Sequence, residues 1–234
     1  MFQFDYFIKV FPRLLAFFPT TLLITGLSLL FALLWGLVLV GMKLAGNKAA
    51  KGFANGYTTL IRSTPVLLLL FLVYYGLPVL FGQAGIDISG LSKLFFVVVT
   101  FTVELAAYLS EDIKAAYLSV EGGQLEAALS VGMSKPMALL RIVVPQTVTV
   151  FIPNFGNSIA RTLKETSLVY TIGMLDLIGG GNMLSAFNYG MTRLEIFVAI
   201  SIIYWVSGIL IDKSMGLFEK KNAKTRRGLS SYVF

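Results

Sequence analysis

Long apolar runs dominate the chain, in place of alternating polar and apolar positions. Thr20 to Met42 is 23 residues without a charge. As a helix that length crosses roughly 30 Å of hydrocarbon. Ser63 to Ile86 is a second uncharged run, softened by Gly76 and Pro78. Ser92 to Ser110 forms a third and, past Lys93 at its start, carries one charge, Glu104. Ile142 to Ala160 forms a fourth, uncharged but interrupted by Pro145, Pro153, Asn154 and Asn157. Ile196 to Phe218 forms a fifth, with Asp212 and Lys213 near its end. The pattern predicts five membrane-spanning helices and an all-α transmembrane fold. Residues 1–18 are rich in Phe and carry Lys9 and Arg13. They read as an amino-terminal interfacial segment, because the apolar run that follows is too long for a cleaved leader. The membrane domain then spans 19–218, and residues 219–234 form a basic tail suited to anionic lipid.

Composition narrows the functions available. Hydrophobic residues are 56% of the 234 and charged residues 13%, with mean hydropathy +0.81. A soluble body of this size has no means of hiding so much apolar surface. The chain contains no His and no Cys. That removes thiol and imidazole nucleophiles, imidazole bases, disulfides and the usual soft-metal sites. No phosphate-binding loop of the G-x-x-x-x-G-K-[ST] type is present. The expectation is a protein without catalytic residues, bound metal or cofactor of its own. The net charge of +7 suits a membrane protein whose basic residues gather on one side better than it suits nucleic acid. Thirteen Lys and Arg fall on the side that holds Lys43, Arg62, Lys135 and the tail; four fall on the other, Lys9, Arg13, Lys93 and Arg193. The split predicts an amino terminus outside and a carboxyl terminus in the cytoplasm.

The largest internal connection, 111–141, has its own local pattern. Leu125 to Val131 favours a short helix, and Gly132 ends it by turning left-handed. Ser134 caps a second helix with Pro136 in its first turn, and that helix runs into the fourth span. The result is a cytoplasmic knob that either fits a groove in a partner or lies on the bilayer. Polar groups inside the membrane form a second pattern. Asn154, Asn157, Arg161 and Glu165 are spaced 3, 4 and 4 and share one helix face within about 80°. Glu104, Tyr108 and Glu111 share a face of the third span. Ionisable groups at this depth avoid lipid. Both stripes therefore line a solute pathway or hold helices together. Arg62 to Pro65 opens the second span as a gate, a bend or a plain helix start.

Recognition comes from spacing. Glu126-Ala127-Ala128, three residues, Gly132, nine residues, then Ile142-x-Val144-Pro145 resembles the EAA loop of ABC import permeases. Arg62-Ser63-Thr64-Pro65, Ala107-Tyr108 with Glu111, and Lys164-Glu165-Thr166-Ser167-Leu168 resemble the polar amino acid uptake branch of that family. Lys114 and Glu165 stand where the family usually has Arg and Asp, and the charge is kept at both positions. The resemblance implies a five-helix type I importer fold with a cytoplasmic coupling helix, in a bacterial cytoplasmic membrane. It implies a cytoplasmic ATP-binding cassette ATPase dimer, an external solute-binding protein and a second permease chain as partners. The solute would be a polar amino acid of the glutamine, cystine or arginine type. Coupling would fall to Glu126, Ala127, Ala128 and Gly132. The pathway would use Glu104, Asn157, Arg161, Lys164, Glu165 and Thr166, with Arg62, Pro65 and Tyr108 as gate candidates. An ion-coupled amino acid carrier and a structural membrane subunit are the rival readings, and the loop spacing argues against both.

Overall fold

The computed structural model describes residues 2–44 and 46–230, with side chains as far as Phe218. Eleven α-helices follow one another among these residues. Helix α1 is Phe4–Leu15, α2 Phe18–Leu44, α3 Lys48–Arg62, α4 Val66–Phe71 and α5 Leu77–Gln83. Helix α6 is Lys93–Leu118, α7 Gly122–Ser130, α8 Lys135–Ala138 and α9 Val144–Glu165. Helix α10 is Leu177–Phe187 and α11 is Arg193–Ser230. Five stretches are long and apolar enough to cross a membrane: Phe4–Leu44, Val66–Gln83, Lys93–Leu118, Lys135–Ile172 and Arg193–Phe218. The basic tail expected at 219–234 continues α11 to Ser230; its last four residues lie outside the described ones.

Helix α6 is the hub. Phe96, Val97, Thr100, Phe101, Leu105, Ala106, Leu109 and Ile113 are buried on several of its faces, and α2, α3, α4 and α9 pack around it. Helix α2 meets it inside out. Thr21, Thr25, Ser28, Ala32, Gly36, Leu39 and Lys43 are buried along one line, flanked by buried Ile24 and Val40, whereas Leu22, Leu30, Phe31, Leu34 and Leu37 are exposed. The spacing 4, 3, 4, 4, 3, 4 draws one inward seam. Lipid is as apolar as leucine, so burying leucine gains little. Small and hydroxyl side chains instead let two backbones approach closely.

Proline explains the irregular second and fourth spans. Pro78 has no N–H for the carbonyl four residues back, and its ring crowds that carbonyl. A π-helical turn, Leu72–Gly76, precedes it and carries the strained stretch of ladder. Pro145 is preceded in the same way by the π-turn Leu139–Val143. The fourth span consequently runs from α8 through this turn into α9 and on through a 3-10 stretch, Thr166–Ile172.

Three elements differ from the sequence expectation. Helix α3 lies in a stretch read as a plain connection. Asn47 starts it, its side chain accepting from the Ala49 and Ala50 amides at 2.9 and 3.5 Å. A stripe of Ala54, Thr58 and Ile61 is buried, and the Tyr57 hydroxyl donates to the Val103 carbonyl at 2.7 Å. Gly179, Gly180 and Gly181, whose run suggests chain freedom, are buried inside α10. A Cβ on Gly180 would lie 2.3 Å from the Phe17 ring, and one on Gly181 2.4 Å from Ile200 Cδ1. These glycines are close-packing positions. Helix α1 packs against α11 through Val10 and Leu14, and Gln3 N donates to Glu195 Oε1 at 2.6 Å. In the outer loop between α5 and α6, the Ser89 amide and hydroxyl both donate to Asp87 at 2.9 and 2.6 Å. These bonds hold the Asp87 carboxyl below its ordinary range.

Candidate functional site

The polar face of α9 opens onto a cavity of about 530 Å³. Asn157, Arg161, Lys164 and Glu165 line it, joined by Ser167, Gly208 and Asp212 from neighbouring turns and α11. A second cavity of about 590 Å³ continues along α11 and shares Lys164, Ser167, Gly208 and Asp212. Four of the six expected pathway residues thus meet at one opening. Gly156 permits the crossing of α9 and α11 there, since a Cβ on it would lie 2.5 Å from the Met215 side chain.

Arg161 is the centre of the charge cluster. Its Nη2 lies 3.6 Å from Glu104 Oε1 and its Nε 3.8 Å from Glu165 Oε1. At those separations the groups attract without closing hydrogen bonds. Arg161 Nε and Nη2, Glu104 Oε2 and Glu165 Oε2 are all buried without a hydrogen-bond partner in the protein. Unmet buried capacity of this kind costs about 1–3 kcal/mol per group, so it is kept where something else binds or where the cluster rearranges. Glu104 itself is 4% exposed and does not line the cavity. It sits behind Arg161, beside the guanidinium. Thr166 is fully buried, does not line the cavity, and its hydroxyl donates to the Leu163 carbonyl at 2.8 Å.

The gate candidates divide. The Arg161 guanidinium carbon lies 3.8 Å from the centre of the Tyr108 ring, and that of Arg62 lies 5.1 Å from it. Arg62 and Tyr108 line a smaller polar cavity of about 380 Å³ with Thr58, Thr59, Ser63 and Glu111. Pro65 takes no part. It stands one residue ahead of α4, with extended backbone (ψ 132°), in the cap position and not in the first turn.

Next to this cavity lies a link that the sequence reading missed. Lys43, 2% exposed, donates to Ser110 Oγ and to Glu111 Oε1, both at 2.7 Å. The Thr58 hydroxyl reaches the same Glu111 oxygen at 3.3 Å, and Lys114 stands 4.0 Å from the other. One carboxylate therefore ties α2, α3 and α6 together. The signal was present in the sequence, because Lys43 continues the inward seam of α2.

Just beyond the carboxyl end of α6, helices α7 and α8 form the expected knob. Gly132 turns left-handed at φ 84° between them. Ser134 has the extended cap conformation, but its hydroxyl makes no cap bond. Glu126 and Ala127 are exposed, as is Gly132. Ala128 is 3% exposed and lies in the knob's interior. Val131 and Leu140 are exposed nearby, so the outward surface mixes one acid with small and aliphatic groups.

Comparison with known proteins follows this geometry. Residues 28–224 match the family described as binding-protein-dependent transport system inner membrane component. The L-cystine transport system permease protein TcyL of Bacillus subtilis is 37% identical over 216 residues, covering 92% of this chain and 89% of that protein. The probable amino-acid permease protein YxeN of the same organism is 36% identical, covering 95% and 97%. The nopaline transport system permease protein NocM of Agrobacterium fabrum is 34% identical, covering 91% and 88%. Among solved structures, an amino acid ABC transporter crystallised with histidines superposes with a TM-score of 0.83 at 31% identity, covering 94% of this chain and 99% of that one. The inward-facing MetNI methionine transporter matches with a TM-score of 0.67 at 17% identity, a likeness of fold. The chain therefore belongs to the binding-protein-dependent transport system inner membrane components, multi-pass permease subunits of ABC transporters.

Proposed function

We propose that this chain carries a polar amino acid inward across the membrane through the opening between α9 and α11. The observation that carries the reading is the charge content of that opening: Arg161 and Lys164 against Glu165 and Asp212, with Asn157 and Ser167 between them. Two cations and two carboxylates around one cavity suit a zwitterion. The α-carboxylate is matched by the guanidinium and the α-ammonium by a carboxylate, while the amide and hydroxyl accept a neutral polar side chain. The relatives named for cystine, glutamine and nopaline support the same substrate class.

Energy comes from ATP hydrolysed on a separate cytoplasmic ATPase dimer. The knob of α7 and α8, with Glu126, Ala127 and Gly132 outward, docks that partner and passes its closure to the fourth span. An external binding protein delivers the solute, and a second permease chain, identical or related, covers the polar side of α9 and α11. The amino terminus lies outside and the carboxyl terminus in the cytoplasm, as the distribution of basic residues favours.

The test is uptake of labelled cystine, glutamine and arginine by cells with and without this chain. Uptake that persists under an uncoupler while ATP is maintained, and stops when ATP is depleted, is the expected result. Uptake abolished by the uncoupler alone would overturn the reading in favour of an ion-coupled carrier.

A further inference from the structure

Two arginines share one tyrosine. Arg161 faces the larger cavity, Arg62 faces the smaller one, and both guanidiniums lie over the ring of Tyr108. The ring distances of 5.1 and 3.8 Å bring the two cations within about 9 Å of each other, where like charges repel unless something lies between them. The two are not equally neutralised. Arg161 has Glu104 and Glu165 beside it. Among the described residues no carboxylate approaches Arg62 within the 4.0 Å of an ion pair. Glu111 lines the same small cavity, but Lys43 and Thr58 already occupy its Oε1. What remains there is a guanidinium that no carboxylate pairs directly: Asp112 acts on it only at longer range and is shared with Arg161, and Thr59 and Ser63 line the cavity beside it. That is a receptor for a carboxylate.

The two cavities meet at Tyr108 of α6, which lines the smaller one and touches Arg161 of the larger. Tyr108 is ten residues from the end of α6 that leads to the knob, and Glu111 seven. At 1.5 Å per residue the small cavity lies about 10–15 Å from that end. The contact of Arg161 with Tyr108 is the wall between the cavities.

We propose that the small cavity is a second, inner station for the α-carboxylate of the transported amino acid, with Arg62 as its cation and Tyr108 as the partition. The carboxylate leaves Arg161, passes the tyrosine edge and is taken by Arg62, Thr59 and Ser63 before release. The inference rests on the transport reading above and extends it to a residue on the far side of the ring.

The experiment uses the whole importer, with its ATPase and binding protein, in liposomes with ATP inside. Labelled glutamine, cystine and arginine are the probes. Arg62→Gln is expected to lower maximal uptake about tenfold while KM stays within about twofold, because the outer opening is untouched. Arg161→Gln is expected to raise KM instead, and Arg62→Lys to restore part of the rate. A second readout separates binding from mere support of the fold. Liposomes preloaded with the unlabelled amino acid should take up less than empty ones. Preloading with its α-carboxamide, which lacks the carboxylate, should have little effect. Arg62→Gln should abolish the difference. If Arg62→Gln fails to assemble, Arg62→Met, which keeps the apolar stem and removes the cation, carries the same preloading comparison, and an undiminished difference between acid and amide would overturn the inner station. Wild-type maximal uptake in Arg62→Gln would also overturn it while leaving the transport reading intact. A wild-type importer that moves none of the three probes would overturn both.

Discussion

A lysine almost wholly removed from solvent is costly to keep in a fold. Lys43 is tolerated because Glu111 and Ser110 each lie 2.7 Å from its ammonium. Removing one partner of a buried pair costs about 3–5 kcal/mol, but Glu111 keeps 31% of its side chain in contact with solvent, which screens the loss. Lys43→Met is therefore expected to destabilise the chain by about 1–2 kcal/mol and to loosen α3. Thermal unfolding in detergent, with wild type alongside, checks this, and an unchanged midpoint would remove the tie between α2, α3 and α6. The sequence contained the clue in the seven-position seam from Thr21 to Lys43, although a count of apolar runs passes over it. Charge counting sees Lys43 only as one more cytoplasmic cation. The pairing of Arg161 with Glu165 was legible from i, i+4 spacing, and Glu104 from its depth. The stacking of Arg161 and Arg62 on Tyr108 was not, since it joins three helices far apart in sequence.

Secondary elements separate into those announced by local chemistry and those fixed by distant neighbours. The helix, bend and helix of the knob follow from Gly132 and Pro136, and both appear where the sequence places them. Gly132 holds φ 84° with open space around it, so a side chain there meets strain and no collision. Gly132→Ala is expected to cost about 1–2 kcal/mol, and Gly132→Asn less, because asparagine tolerates the left-handed region. Stimulation of the ATPase by loaded binding protein should fall in the order Gly, Asn, Ala. Equal stimulation in all three would show that the bend has no part in coupling. Helix α3 escaped notice because its buried stripe is only Ala54, Thr58 and Ile61, too weak for a hydropathy reading. The glycines of α10 misled for the opposite reason. Three in a row suggest freedom, and only the positions of Phe17 and Ile200 reveal that they are there for closeness.

Among the described residues, polar side chains gather at the α9–α11 opening, along the α2–α6 seam and in the small cavity beside Arg62, and large apolar side chains are exposed along the spans. The five spans and their order were readable from apolar runs alone, because a membrane imposes length and continuity on each. Which face of each span turns inward was not readable, since burial in lipid and burial in protein select similar residues. Sidedness has a direct test. The chain has no cysteine, so any introduced thiol is the sole one. Gly90→Cys, in the loop between α5 and α6 with open space around it, should react with an impermeant maleimide applied outside intact cells. Ser134→Cys in the knob should react only after the membrane is opened. The reverse pattern would invert the orientation.

The π-turns ahead of Pro78 and Pro145 have a meaning for how such a chain tolerates insertion and deletion. A π-turn holds one residue more than the α-helix it interrupts, while the flanking turns keep their facing. Taking one residue out of Leu72–Gly76 restores regular winding, but it also returns the Pro78 ring to the carbonyl it now avoids. A one-residue deletion there should therefore abolish assembly alone and be rescued when combined with Pro78→Ala. The same deletion made within α6, where no turn holds a spare residue, turns everything beyond it by about 100° and has no such remedy. Proline and the extra residue are in this sense a single heritable unit, gained or lost together.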